Sequence, residues 1–170
     1  MPEDALRDVV PHDHLANVLT LGMSLNYQRH AYALWKAIAL TFDDPATQWI
    51  FAPSALAAHA VRPLRTALLQ HRVGLQPNRH PDIWHRVALG IVQSSPRRDV
   101  LGLVGSAHFD VVTLRCIMQG TRKPEFPYLS GPKIFNYWLY VLERYVGIEW
   151  HHRELISIAP DTHILTYMNR

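Results

Sequence analysis

The chain has 170 residues, of which 48% are hydrophobic and 18% charged. That composition suits one domain with its own core and excludes a disordered chain. The formal net charge of +3 permits a polyanionic partner, and the single cysteine, Cys116, excludes a disulfide scaffold. No apolar run approaches the roughly 18 residues of a membrane span. Because residues 1–5 are acidic rather than basic and apolar, we expect no secretory signal, no membrane partner and a cytoplasmic location.

Proline, glycine and aspartate divide the first half of the chain into helical segments. Apolar residues at helical spacing predict a helix over residues 27–42, which residues 43–45 end. Pro63 opens a second predicted helix, and Gly74 is its expected stop.

The second half continues in the same way. Pro81 opens a third predicted helix that residues 94–96 close, and residues 109–118 predict a fourth that ends at Gly120. Strand signals are nearly absent, because residues 155–158 form only a short and isolated apolar run. The sequence therefore predicts an all-α fold in a single domain spanning residues 1–170.

The most informative stretch is residues 126–133, which read Phe-Pro-Tyr-Leu-Ser-Gly-Pro-Lys. After it, an apolar stripe predicts an amphipathic helix that Gly147 can end. The stripe consists of Ile134, Tyr137, Trp138, Val141, Leu142 and Tyr145. Proline suits the first turn of a helix, so Lys133 is expected beside free backbone N–H groups at the positive end of the helix dipole, where an anion such as phosphate is favoured.

An aspartate follows the lysine at a distance of 28 positions. Asp161 comes after Pro160 and before a short run that begins Thr162-His163, which is typical of a helix N-cap. A structural cap is the simplest role for such an aspartate. The alternative is that an amine and a carboxylate meet in one cleft, a pairing that suits the excision of a base from DNA.

At these residues the chain resembles the helix-hairpin-helix DNA glycosylases, the superfamily that includes endonuclease III and the 8-oxoguanine glycosylases. Residues 131–133 resemble the second half of the family's hairpin, and residues 160–163 resemble its aspartate motif. Residues 21–28 are similar to an early segment of the family, whose polar side chain helps to fill the gap left by a flipped base. Residues 73–79 are similar to a turn between two of the family's middle helices. The four motifs are short, and their order is what carries the resemblance.

The resemblance implies a fold, a partner and a site. It implies a glycosylase-like helical domain with the hairpin at about residues 126–146. The protein would be a monomer that acts, without a cofactor, on double-stranded DNA carrying a damaged or mismatched base. It would be located in the cytoplasm, in association with the nucleoid. Lys133 and Asp161 would be catalytic, with His163 supporting the loop of the aspartate. The DNA-binding residues would be Ser130, Gly131, Pro132, Asn26 and Gln28.

Three departures from the family keep other interpretations open. Leu129 occupies the hairpin's first glycine position, and the longer lysine-to-aspartate spacing implies an insertion at residues 147–153. The chain also ends seven residues after His163, where family members continue, so we expect a truncated or minimal version. The alternatives are a non-catalytic DNA-binding protein with the same hairpin, a fragment of a longer glycosylase, and a monofunctional enzyme in which Asp161 activates water.

Histidine is frequent, with 11 copies. Adjacent pairs such as His151-His152 do not easily face one ion, and the spacings typical of zinc sites are missing. The sequence predicts no metal site.

Overall fold

The computed structural model describes residues 1–158, and within that range the protein is all-helical. This confirms the predicted all-α class. The α-helices are α1 (His12–Met23), α2 (Ala31–Asp43), α3 (Pro53–Ala58), α4 (Val61–Gln70), α5 (Arg79–Ser94), α6 (Val100–Ser106), α7 (Val111–Arg115) and α8 (Pro132–Val146). Short 3₁₀ turns cover Pro2–Leu6, Gln48–Phe51, Lys123–Glu125 and Arg153–Leu155, and Cys116–Thr121 forms a π-helical turn.

Helix α1 lies at the centre of the molecule. Every residue from Val18 to Met23 is buried, and the helix contacts α2, α5, α6 and α8. Because it is surrounded, its sequence lacks the one-sided apolar stripe of a surface helix. The indole Nε1–H of Trp138 on α8 donates to Thr20 Oγ1 at 2.8 Å, which joins the centre to the last helix.

A glycine permits the close approach of α1 and α2. A Cβ added to Gly22 would lie 2.5 Å from Ile38 Cδ1 and 2.7 Å from the nearest atom of the Trp35 ring. Both neighbours are fully buried, so neither can move aside without disturbing the core. Gly22 therefore sets the spacing of these two helices.

Helix α8 confirms the prediction made from the apolar stripe. Gly131 is its N-cap, Pro132 is its first residue, and the first helical hydrogen bond runs from Phe135 N–H to Gly131 O at 2.8 Å. Gly147 ends the helix with φ of 81°, the left-handed conformation that glycine adopts without strain.

Two predicted helices begin later than the sequence indicates, and backbone geometry explains both differences. The helix expected from residue 27 begins at Ala31, because Gln28 has a φ of 50° and the ring of His30 accepts from Ala33 N–H as the cap. The helix expected from residue 109 begins at Val111. Its predecessors His108 and Phe109 both have left-handed φ values, of 56° and 55°, which an α-helix excludes.

Other segments also correct the sequence interpretation. The helices expected to open at Pro63 and Pro81 begin two residues earlier, at Val61 and Arg79. Helices α1, α3 and α6 were not predicted. The apolar run at residues 155–158 lies in a 3₁₀ turn and irregular chain rather than in a strand.

The 3₁₀ turn at Pro2–Leu6 packs against α2 and is hydrogen-bonded to α8. Tyr137 OH donates to Glu3 Oε1 at 2.9 Å, and Tyr145 OH donates to Asp4 Oδ1 at 2.7 Å. Glu3 is fully buried, and burial raises the pKa of its carboxyl group. None of the helices within residues 1–158 has the length and apolar character needed to cross a membrane.

Candidate functional site

After Gly147 the chain turns back along α8; we call residues 148–158 the return segment. Trp150 Nε1–H donates to Leu139 O at 3.0 Å, and Ser157 N–H donates to Asn136 Oδ1 at 3.2 Å. Residue 157 therefore lies beside the first turns of α8, close to the end that carries Lys133.

The return segment is attached to the turn between α6 and α7. Val111 N–H donates to His151 O at 3.2 Å and His151 N–H donates to Phe109 O at 2.9 Å, which makes an isolated parallel bridge. The Asp110 carboxylate, which also accepts from Thr113 N–H at 2.7 Å, forms an ion pair with the His152 ring.

The Asp110–His152 pair should make this attachment depend on pH. The hydrogen bond and the charge of Asp110 raise the pKa of His152. The stabilisation that His152 contributes is therefore complete below the pKa of histidine in the unfolded chain, about 6.5, and is lost as the pH rises through the raised pKa of the folded state. The hydrogen bond from the Thr113 amide and, after it, the hydrogen bond with His152 lower the pKa of Asp110. The stabilisation that Asp110 contributes is therefore complete above the pKa of aspartate in the unfolded chain, about 3.9, and is lost as the pH falls through the lowered pKa of the folded state. The attachment should be strongest between about pH 4 and 6.5.

Hydrogen exchange measures this prediction directly. The protection of the Val111 and His151 amides, corrected for intrinsic exchange rates, should decrease as the pH rises above neutrality. Asp110→Asn is the matched control, because asparagine keeps an oxygen for the Thr113 cap and removes the charge. Its protection should be lower near pH 6 and nearly independent of pH; a variant that retains the parent's pH profile would show that the ion pair has no part in the attachment.

Lys133 is the second residue of α8, and its side chain is exposed. The N–H groups of Lys133 and Ile134 precede the first helical hydrogen bond, so they point along the helix axis at its positive end. Asn136, which holds Ser157, lies one turn further along α8. Asp161 and His163 lie outside the described residues.

A pocket of about 330 Å³ opens where three distant segments meet. These are the loop between α1 and α2, the turn between α4 and α5 with the start of α5, and the turn before α8. The pocket is lined by Leu25, Tyr27, Gln28, Gln76, Arg79, His80 and Tyr128. Two of these segments carry motifs on which the family resemblance depends, residues 21–28 and 73–79, and Tyr128 lies three residues before the third motif, residues 131–133.

Aromatic and cationic side chains form one side of this pocket. The rings of Tyr27 and Tyr128 stack with centroids 4.6 Å apart and an interplanar angle of 15°, and the Arg79 guanidinium lies over the Tyr128 ring at 5.1 Å. Tyr128 has a φ of 61°, an uncommon conformation for a residue of this size. Such strain is typical of functional sites.

The half-buried Arg29 and the buried His80 hold the pocket's loops in place. The Arg29 guanidinium donates to Val73 O at 2.6 Å and to Arg72 O at 3.3 Å, which ties the α1–α2 loop to the α4–α5 turn. His80 Nδ1 accepts from Leu75 N–H at 2.9 Å and from Gln76 N–H at 3.4 Å. Burial, followed by the charges of Arg29 and Arg79, lowers the pKa of His80 and keeps its ring neutral.

Among residues 1–158, one predicted site residue lines this pocket, and Lys133, Ser130, Gly131 and Pro132 do not. Gln28 lines it, whereas Asn26 donates to Met23 Sδ at 3.6 Å. Ser130 is buried, and Gly131 and Pro132 form the start of α8. Sequence reasoning placed Tyr27, Arg79 and Tyr128 within motif segments without assigning them to a site, and it did not consider His80.

Within residues 1–158, no cluster of His, Cys, Asp and Glu side chains is arranged to hold a metal ion. A scan against models of protein families found no match, and searches of curated proteins and of solved structures found none either.

Proposed function

We propose that this protein is a DNA glycosylase of base-excision repair with lyase activity, acting on duplex DNA that carries a damaged or mismatched base. The observation that carries the proposal is the meeting of two motif segments with Tyr128, from the turn before the third, in one pocket. Residues about 50 apart in the sequence have no local reason to come together, and a pocket that combines stacked rings with cationic and amide groups suits a nucleobase.

The start of α8 supplies the groups for a phosphate and for attack on the sugar. The free N–H groups of Lys133 and Ile134 suit a backbone phosphate. As a free amine, Lys133 would form a bond from its Nζ to C1′ of the flipped nucleotide while the glycosidic bond breaks and its electron pair leaves with the base. Rotating the base out costs a few kcal/mol and costs less where pairing is already weak.

The return segment supports the proposed role of Asp161. Asp161 follows Ser157 by four positions in the sequence. Ser157 is hydrogen-bonded at the first turns of α8, so the described chain returns to the end of that helix that carries Lys133. Asp161 would stabilise positive charge that develops at the sugar or accept a proton there.

One observation favours a second function, DNA binding without catalysis. Lys133 is exposed, and an open site neither excludes water nor holds a flipped base as firmly as a closed one. In this alternative the start of α8 still grips the DNA backbone, but no base is excised.

The two functions are separated by measuring binding and excision on the same duplexes. Affinity for duplex DNA should fall with salt with a log–log slope of about −0.9 per phosphate neutralised. Base release from a panel of lesions and mismatches, with borohydride trapping of the covalent adduct, reports catalysis. A steep slope with no release on any substrate would establish the binding function, and a flat slope would contradict both.

A further inference from the structure

The pocket's polar wall is rich in hydrogen-bond donors. Arg79 carries a guanidinium, which has five N–H donors and no acceptor. Within the described residues it makes no ion pair, and its guanidinium lies over the Tyr128 ring. The guanidinium fork is therefore available to a ligand in the pocket that it lines.

His80 adds a second donor, and its backbone contacts determine which nitrogen carries the proton. Nδ1 accepts from the N–H groups of Leu75 and Gln76. A neutral imidazole that accepts at Nδ1 must carry its proton on Nε2. This Nε2–H makes no hydrogen bond with any residue in the described part of the chain, and His80 lines the pocket.

The remaining polar side chains do not change the excess of hydrogen-bond donors in the pocket. Gln28 and Gln76 each present both a donor and an acceptor, so either can pair with a ring N–H or a ring nitrogen of a ligand. The half-buried guanidinium of Arg29 adds positive potential behind the wall. The field and the donor geometry therefore both favour oxygen acceptors.

We propose that the pocket selects nucleobases with a carbonyl group at the exocyclic position, such as uracil and hypoxanthine, over the corresponding amino bases, cytosine and adenine. The inference rests on the proposed function and names the substrate class of the same site. A carbonyl oxygen can accept from Arg79 and from His80 Nε2–H. An exocyclic amino group would instead place its own donors against those two, and would leave the Nε2–H of the buried His80 without a partner.

Stacking alone would not produce this preference. The Tyr27–Tyr128 pair offers an aromatic surface to any base, because every base has a π-face. A difference in affinity between the keto and amino members of a pair would therefore come from the hydrogen-bond donors of Arg79 and His80 and not from the aromatic rings.

The test uses two matched pairs of duplexes. In each duplex the test base faces an abasic-site analogue, so that no base pair has to be broken, and its sugar carries a 2′-fluorine that resists cleavage. Uracil is compared with cytosine and hypoxanthine with adenine by fluorescence anisotropy at one salt concentration. The protein should bind each keto duplex about tenfold more tightly than its amino partner, the lower end of what one bidentate arginine contact contributes.

Variants assign the preference to the pocket. Arg79→Met should reduce it to less than about threefold, and Arg79→Lys, which keeps the charge without the planar fork, should also reduce it. Arg86→Met is the matched control, because Arg86 lies on the same helix, is exposed and forms only a surface ion pair with Asp82. It should leave the preference unchanged.

The outcomes distinguish this inference from the proposed function. Tight binding with equal affinity within each pair would overturn the inference and leave the glycosylase proposal intact. A preference that survives in Arg79→Met would show that Arg79 is not its source and would overturn the inference. Equal weakening of all duplexes in Arg79→Met would mean that Arg79 contacts phosphate and would also overturn it. Failure to bind any duplex would overturn both proposals.

Discussion

Replacing Lys133 with glutamine should abolish covalent trapping and base release. The substitution removes the amine that forms the bond to C1′ and leaves the start of α8 intact, since Lys133 is exposed and its side chain makes no described hydrogen bond. Loss of a covalent nucleophile lowers turnover by a factor of about 10⁴ or more in well-studied enzymes. The measurement is borohydride trapping on a duplex with an abasic site, together with base release from the best substrate of the lesion panel.

Lys123 provides the matched control for this prediction. It is exposed, lies ten residues before Lys133 and carries the same charge. Lys123→Gln should trap as well as the parent, because a general loss of positive charge affects binding rather than chemistry. A Lys133→Gln protein that forms the adduct at the parent's rate would eliminate Lys133 as the nucleophile.

Replacing Trp138 with alanine should destabilise the fold by about 3–5 kcal/mol, the usual range for truncating a buried aromatic side chain. Trp138 is fully buried and is hydrogen-bonded to Thr20 on the central helix. Because small domains are stable by only about 5–15 kcal/mol, the loss removes a large part of the total. Urea unfolding should show a strongly lowered midpoint with an unchanged slope.

Two further variants separate the parts of this effect. Trp138→Phe keeps most of the apolar volume and removes the donor to Thr20, whose hydroxyl still donates to Ala16 O at 2.7 Å. Its cost should be close to that of one hydrogen bond plus a small cavity, about 1–2 kcal/mol. Tyr32→Ala, at a side chain with 64% exposure, should change stability by less than about 0.5 kcal/mol. An equal loss in Tyr32→Ala and Trp138→Ala would contradict the packing described.

The sequence predicted α8 well because that helix has one buried face and clear ends. The stripe that includes Trp138 and Val141 points into the core, and Pro132 and Gly147 lie at the two termini. It did not predict α1, because residues 18–23 are buried on all sides. Periodicity detects a boundary between core and solvent, and a central helix has no such boundary.

Local chain geometry limited the prediction of helix starts. The residue types of His108 and Phe109 do not predict two successive left-handed backbone conformations. They arise because the turn after α6 pairs with the return segment at His151, a residue more than 40 positions away. Tertiary contact decides such boundaries and overrides local preference.

The candidate site was predictable only in pieces. Residues 21–28, 73–79 and 131–133 were singled out one at a time by their resemblance to motifs, and Gln28 was named as a site residue. The stacking of Tyr27 on Tyr128, about 100 residues apart, could not be predicted without the fold. The same is true of the His80 tautomer, which follows from two backbone donors in a turn.

The burial of α1 against α8 has a consequence for synthesis on the ribosome. Thr20 meets its partner Trp138 only after 118 further residues have been made, which takes roughly 6–24 seconds at 5–20 residues per second. During that interval the nascent chain contains a helix, α1, that is apolar on nearly every side and lacks its packing partner α8. The protein is therefore expected to depend on chaperone capture before α8 emerges, and slower translation of the middle of the chain should lower the yield of folded product.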